Sequence, residues 1–135
     1  MKIEHKSRPT SANIHFLTQK INQETPAFGS ARPFCFFIRD EKSEIIAGCN
    51  GSVIFGSIYT DQLWVHPSHR GNGLGRRLME QVHDYGRENE CSMATVATMS
   101  FQGAKAFYEK LGYFVDFERP GYTQNSTCIF LKCSL

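Results

Sequence analysis

Six residues near the middle of the chain, Arg70-Gly71-Asn72-Gly73-Leu74-Gly75, have the types and spacing to hold an anion. Glycines at alternate positions let the backbone turn sharply and aim successive N–H groups at one point. A helical pattern starts at Leu74, and a helix N-terminus adds its dipole and its unpaired first-turn N–H groups. The combination suits a pyrophosphate and needs neither a metal nor a lysine. His69, Arg70, Arg76 and Arg77 gather positive charge around the loop, although the whole chain carries only +2. That local excess points to a small anionic ligand and gives no case for a broad nucleic-acid footprint. The arginines themselves could reach phosphate or could equally be solvated surface.

Other anion loops fit less well. A nucleotide-triphosphate loop needs Gly-Lys-Ser/Thr at its end, and here Gly75 runs into Arg76-Arg77. The dinucleotide fingerprint is G-x-G-x-x-G after the first strand of a βαβ unit, whereas this spacing is G-x-G-x-G and several strand patterns precede it. A Gly-rich turn that merely starts a helix is the plain alternative. His66 and His69 lie close together across Pro67, but no third ligand is in view for a metal. The five cysteines are Cys35, Cys49, Cys91, Cys128 and Cys133, an odd number without a C-x-x-C pair. They read as reduced, mostly buried thiols of a cytoplasmic protein, and nothing near Cys91 would activate it.

The elements that must position the loop follow from periodicity and turn residues. Length and composition fit one compact domain, residues 1–135, with 41% hydrophobic and 21% charged residues. The longest apolar run, Phe34 to Ile38, is too short to cross a membrane, and no apolar core follows Lys2, Lys6 and Arg8 to make a signal peptide. Residues 1–9 read as a loose arm. Thr10 or Ser11 caps a helix whose apolar face is Ile14, Leu17 and Ile21, ending near Asn22. Phe34–Ile38 reads as a buried strand, 44–49 as a second with a kink or bulge at Asn50-Gly51, and 58–65 as a third. These form an antiparallel meander that Pro67 stops. Leu74, Leu78, Val82 and Tyr85 mark a helix to about Glu88, then Met93–Met99 a strand. Ala104, Phe107, Tyr108 and Leu111 mark a helix closed by Gly112, and 113–117 and 128–131 are final strands. The order predicts a mixed α/β domain.

Two stretches carry a family resemblance. Leu63-Trp64-Val65-His66-Pro67, then Arg70-Gly71-Asn72-Gly73-Leu74-Gly75-Arg76 and Leu78-Met79, resembles the cofactor motif R/Q-x-x-G-x-G/A of GNAT acetyltransferases. Ala104, Phe107-Tyr108-Glu109-Lys110-Leu111-Gly112-Tyr113 resembles that family's second signature. The resemblance spans roughly residues 34–117. It implies a central, mostly antiparallel sheet splayed to hold acetyl-CoA, and transfer of the acetyl group to a primary amine by direct attack. It implies that Leu63, Trp64 and Val65 pair with the pantetheine arm, one N–H polarising the thioester carbonyl, and that Gly71–Arg76 hold the pyrophosphate. Tyr108 falls at the position of the general acid that protonates the departing sulfur.

The attacking amine must be neutral, and a lysine-like amine with a pKa near 10.4 costs about 4 to 5 kcal/mol to deprotonate at pH 7. Asp61 is the first candidate base, since alternation places it on one face with Tyr59, Leu63 and Val65. Tyr59 is the second, a poor base at neutral pH and better suited to a pocket wall. The chain departs from the family in three places. Phe101 replaces a common Asn, leaving Gln102 to supply any pantetheine contact; Ala97 stands where some relatives carry a carboxylate; the loop from Arg119 to Thr127 is unusual. The acceptor is expected to be a small-molecule or protein amine, with no membrane partner and a homodimer possible. Two further readings stay open: a catalytically silent acyl-CoA-binding module and an RNA-associated acetyltransferase.

Overall fold

The helical spacing of Leu74, Leu78 and Val82 translates directly into packing: in the computed structural model, which describes residues 1–135, α2 (Leu74–Glu88) buries Leu78, Met79 and Val82 on one face of a sheet. Ile58, Ala94, Val96 and Leu131 meet them from the sheet, and burying each larger side chain contributes roughly 1.5–3 kcal/mol. The strands are β1 (Arg32–Arg39), β2 (Ile45–Ile54), β3 (Ser57–Val65), β4 (Met93–Met99), β5 (Phe114–Arg119) and β6 (Cys128–Ser134). They form a single six-stranded sheet in the order β1-β2-β3-β4-β6-β5. Every neighbouring pair is antiparallel except β3 and β4. The fold is therefore the mixed α/β arrangement expected.

Two local expectations, the cap at Thr10 and the helix end at Gly112, hold in detail. Thr10 caps α1 (Ser11–Glu24) by accepting from the Asn13 N–H at 3.2 Å, while Asn13 returns the contact to the Thr10 N–H at 2.9 Å. The Asp40 carboxylate accepts from the N–H groups of Lys42 and Glu44, closing the β1–β2 turn. Helix α3 (Lys105–Lys110) ends where Tyr113 N–H reaches back to the Tyr108 carbonyl and Gly112 N–H to that of Glu109. That double bond pattern needs a left-handed residue, and Gly112 supplies it at φ +98°.

Two expectations require correction. β1 is an edge strand and not a buried one: Phe34 and Phe36 pack on Tyr85 of α2, with ring centroids 5.9 and 5.6 Å away, but Phe37 is 54% exposed. Alternation explains this, because Cys35 and Phe37 point to the sheet face that α2 does not cover. The second correction concerns β3. Asn50 lies opposite Gln62 and Gly51 opposite Thr60, so Asp61 is an extra residue without a partner. The Asn50 side chain fastens this bulge, accepting from the Gln62 N–H at 3.1 Å and donating to Gln62 Oε1 at 3.0 Å. A Cβ on Gly51 would lie 1.8 Å from the Tyr59 carbonyl oxygen, so only glycine fits. The bulge reverses the parity of the strand. Ile58 packs on Gly86 of α2 and Val65 beside Gly75 of the same helix, although the step from 58 to 65 is odd and simple alternation would put them on opposite faces. Tyr59 therefore does not share the face of Leu63 and Val65.

Candidate active site

The same bulge opens the sheet. β3 and β4 pair only from Ser57 with Met93 to Thr60 with Val96, and beyond that row they diverge. On its other edge β3 stays paired, Leu63 with Cys49, Trp64 with Gly48 and Val65 with Ala47. The edge of Leu63–Val65 facing the gap is thus left with backbone groups to offer an extended amide chain. A cleft of about 940 Å3 fills the gap.

The anion loop forms one end of this cleft. Pro67–His69 make a single 3-10 turn in which the His66 Nδ1 accepts from the Ser68 N–H. Arg70 then folds back, and its Nε donates to the Val65 carbonyl at 2.9 Å, locking loop to strand. Gly71 and Gly73 adopt φ of +81° and +80°, the left-handed region that L side chains avoid. Gly73 is the N-cap of α2 and has no side chain to cap it. The first bond across the helix start is donated by Arg77 to the Gly73 carbonyl, at 3.0 Å. The N–H groups of Leu74, Gly75 and Arg76 precede it and face the loop with the positive end of the dipole. Arg76 is paired with Glu80 at 3.1 Å, on the exposed side of α2. Asn72 donates weakly to the His69 carbonyl at 3.4 Å and lies outside the cleft lining, as does Arg77.

The opposite wall comes from β4 and α3. Ala97 and Thr98 line it where β4 leaves its partner, and the 3-10 turn Ser100–Gln102 follows. Gln102 Oε1 accepts from the Met99 N–H at 2.8 Å and from the Thr98 hydroxyl at 3.0 Å. That fixes the amide, so its NH2 group is the end left for a ligand. Phe101 is 66% exposed and turned away. From α3, Phe107 packs against Gly75, and Tyr108 is buried between Phe107 and Tyr113, with centroids 5.1 and 5.6 Å away. Burial, and then the neighbouring Cys49 and Tyr59, push the Tyr108 hydroxyl up to about 12. It stays protonated at neutral pH, the state required of a proton donor. Tyr113 is itself fixed by a 2.8 Å bond between its hydroxyl and His83 Nε2 inside α2.

Asp61 lies at the fork, exposed, on the unpaired residue of the bulge. The Tyr59 hydroxyl donates to Asp61 Oδ1 at 3.5 Å. Burial pushes the Tyr59 hydroxyl up, and the Asp61 charge adds to it, which disqualifies Tyr59 as a base near neutrality. Cys49 is likewise raised, to about 11, and Cys91 is raised, in both cases chiefly by burial. Four cysteines are buried, Cys35 is exposed, and none is paired. Of the residues singled out from the sequence for cofactor binding or catalysis, Tyr59, Asn72 and Arg77 fall outside the cleft lining and the others line it. The sequence reading missed Thr98 and Lys110. Lys110 sits one turn on from Phe107 in α3, and that i, i+3 spacing could have flagged it.

Set beside known proteins, residues 2–113 match the profile of the Acetyltransferase (GNAT) family. The chain is 33% identical over 109 residues to the blasticidin-S acetyltransferase of Streptomyces morookaense, covering 78% of this chain and 79% of that one. The fold resembles an acetyltransferase from Bacillus cereus ATCC 14579, with a TM-score of 0.75 at 22% identity and 98% of both chains covered. It also resembles an aminoglycoside 6'-N-acetyltransferase complexed with coenzyme A, with a TM-score of 0.66 at 15% identity and 99% and 97% covered. A profile match over most of the chain, with a relative 33% identical over more than three quarters of both chains, settles the kinship: the chain belongs to the GNAT family and is an acetyltransferase.

Proposed function

We propose that the cleft binds acetyl-CoA and that the protein transfers the acetyl group to the primary amine of a small molecule. The observation that carries this reading is the gap between β3 and β4, with the anion loop at one end and a protonated Tyr108 in its wall. The N–H groups from Gly71 to Arg76 hold the pyrophosphate, while Lys110 and the remaining guanidinium N–H groups of Arg70 add charge. The free edge of Leu63–Val65 pairs with the amides of the pantetheine arm, and one N–H of that edge polarises the thioester carbonyl. Gln102 NH2 donates from the facing wall.

Asp61 takes the proton of the incoming ammonium, directly or through water, at the fork where the strands part. The amine nitrogen then bonds to the acetyl carbon as the carbon–sulfur bond breaks. Tyr108 gives its proton to the departing sulfur, so that free thiol leaves, and the second proton that the nitrogen sheds as it becomes an amide passes through water to restore Tyr108. The relative that acts on blasticidin S, by its name, supports a small-molecule acceptor over a protein one.

Calorimetric titration with acetyl-CoA and with CoA tests the reading, followed by a thiol-release screen that includes blasticidin S. Micromolar binding with amine-dependent release of thiol is expected. No binding to folded protein returns the loop to a structural turn, and binding without turnover on any amine leaves an acyl-CoA-binding module.

A further inference from the structure

Asp61 on β3 and Ala97 on β4 line the cleft from its two sides. Beyond Ala97 the sheet continues outward. Ala97 pairs with Phe130 of β6, and Phe130 with Phe117 of β5, so the three form one row leading away from the cleft. Val96, Ile129 and Leu131 belong to the core, and alternation turns Ala97 and Phe130 to the opposite face of the sheet. Alanine is too short to screen the Phe130 ring from the cleft. Phe117 lies beside that ring, with centroids 5.8 Å apart, and is 52% exposed. The row is an apolar floor open to water.

Arg119 stands at the far end of this floor. Its guanidinium carbon lies 5.5 Å from the Phe130 ring centroid and 5.7 Å from that of Phe117. Two rings hold the cation by its face, which leaves the N–H groups on its edge to donate. None of the four ion pairs of the chain includes it. The neighbouring cation differs: Lys132 also lies over a ring, that of Phe114, but Asp116 neutralises it at 3.4 Å. Glu118, the other carboxylate of β5, pairs with Ile129 and so shares the side of the core.

The position of Arg119 is also fixed. It pairs with Cys128 of β6, at the base of a loop that is fastened to the cleft wall. The Ser100 N–H donates to the Thr127 carbonyl at 2.8 Å, and the Thr127 N–H donates to Ser100 Oγ at 3.0 Å. Within the loop, the hydroxyl of buried Ser126 donates to the Thr123 carbonyl at 2.6 Å. Neighbouring strands lie about 4.8 Å apart, which puts the guanidinium roughly 10 Å from the gap between β3 and β4. One face of the sheet thus presents, in line, a carboxylate at Asp61, an apolar floor and an unpaired guanidinium. An ammonium suits the first and hydrocarbon the second. A carboxylate suits the third, since it accepts two parallel bonds from one guanidinium edge.

We infer that the amine acceptor is a zwitterion, with a carboxylate that Arg119 binds while its amine meets the thioester beside Asp61. The inference rests on the acetyl-transfer reading above. Arg119 is then a specificity residue, which touches the acceptor away from the reacting atoms.

Conjugates in which an acetyl bridge joins the CoA sulfur to the amine of 6-aminohexanoate, or of its amide, test this with the cofactor as anchor. Nitrogen and carboxyl carbon are roughly 7 Å apart in the extended acid, which leaves room for the bond to the guanidinium. Homologues with four and eight carbons cover the span on either side. By calorimetry the protein should bind the best carboxylate conjugate about 10-fold or more tightly than its amide. Arg119→Ala should erase that preference with the affinity for CoA alone unchanged, and Arg119→Lys should keep part of it. Equal affinity for acid and amide at every chain length, or a preference that persists in Arg119→Ala, overturns the inference and leaves acetyl transfer standing. Folded protein that binds neither CoA nor any conjugate overturns the acetyl-CoA reading, and this inference with it.

Discussion

The two ends of the cleft are built from different materials. The end proposed to hold phosphate is almost wholly backbone: left-handed Gly71 and Gly73, the first N–H groups of α2, and the free edge of Leu63–Val65. The end proposed to receive the amine is side chain: Asp61 on an unpaired residue, Tyr59 leaning on it, and Tyr108 against the rings of Phe107 and Tyr113. Backbone dipoles hold any ligand with the right phosphate geometry, so that end can stay constant while acceptors change. Side chains on a bulge can be exchanged one at a time, so that end can set specificity. Substitutions at the two ends should accordingly separate binding from turnover.

Tyr108→Phe should have the largest effect on turnover, lowering kcat by about 100-fold or more, the range of general acid catalysis, with the acetyl-CoA dissociation constant nearly unchanged. A matched loss of binding would assign Tyr108 to the pocket wall and erase the division between the ends. Because its hydroxyl is held up to about 12, kcat should not fall through the ordinary tyrosine range near pH 10, only above it. A pH profile that turns down near 10 argues against Tyr108 as the donor.

Gly73→Val tests the other end. A β-branched residue at φ +80° is strained by about 1–3 kcal/mol and blocks the approach of phosphate, so CoA should bind about 10- to 100-fold more weakly. The rate at saturating acetyl-CoA should change much less. An unaltered dissociation constant would falsify the cradle.

Asp61→Asn should cost less than Tyr108→Phe, about 10-fold in kcat/KM at neutral pH, because water at an exposed fork can share the proton. The deficit should shrink as pH rises toward the pKa of the amine, where the acceptor no longer needs a base. A deficit that is constant with pH would make Asp61 a binding residue for the acceptor.

The contrast between the ends also explains what the sequence could reveal. Glycine spacing, the helix from Leu74 to Glu88 and the strand from Met93 to Met99 are local facts, and the structure reproduces the helix and strand limits. The bulge at Asp61 is not local. It depends on Gly51 of the neighbouring strand meeting the Tyr59 carbonyl, and on Asn50 bridging to Gln62. Counting alternate residues along β3 alone therefore put Tyr59 on the face of Leu63 and Val65. The same limit applies to α1, whose stripe of Ile14, Leu17 and Ile21 is legible in sequence yet stays more than half exposed. Periodicity shows that a helix has an apolar side; which surface meets that side depends on where the connectors aim it.

The smallest expected effect sharpens how the turnover end is held. Tyr108 is braced by Tyr113, and Tyr113 by the buried His83, whose imidazole is pushed below its usual range by desolvation and then by Arg87. Asp84 and Glu80 on the same helix pull the other way without prevailing. The folded state thus favours neutral His83, while the unfolded chain takes up a proton near pH 6.5. Stability contributed by this group is present above that pH and declines as pH falls through 6.5 toward the lower folded value. Denaturant midpoints of the wild type should therefore drop between pH 7 and 5, and His83→Gln should flatten that part of the slope. If the brace matters to Tyr108, Tyr113→Phe should lower kcat a few-fold while the acetyl-CoA dissociation constant holds. If kcat is untouched and only the denaturation midpoint moves, the His83–Tyr113 pair supports the core, and Tyr108 is positioned by Phe107 and the helix end alone.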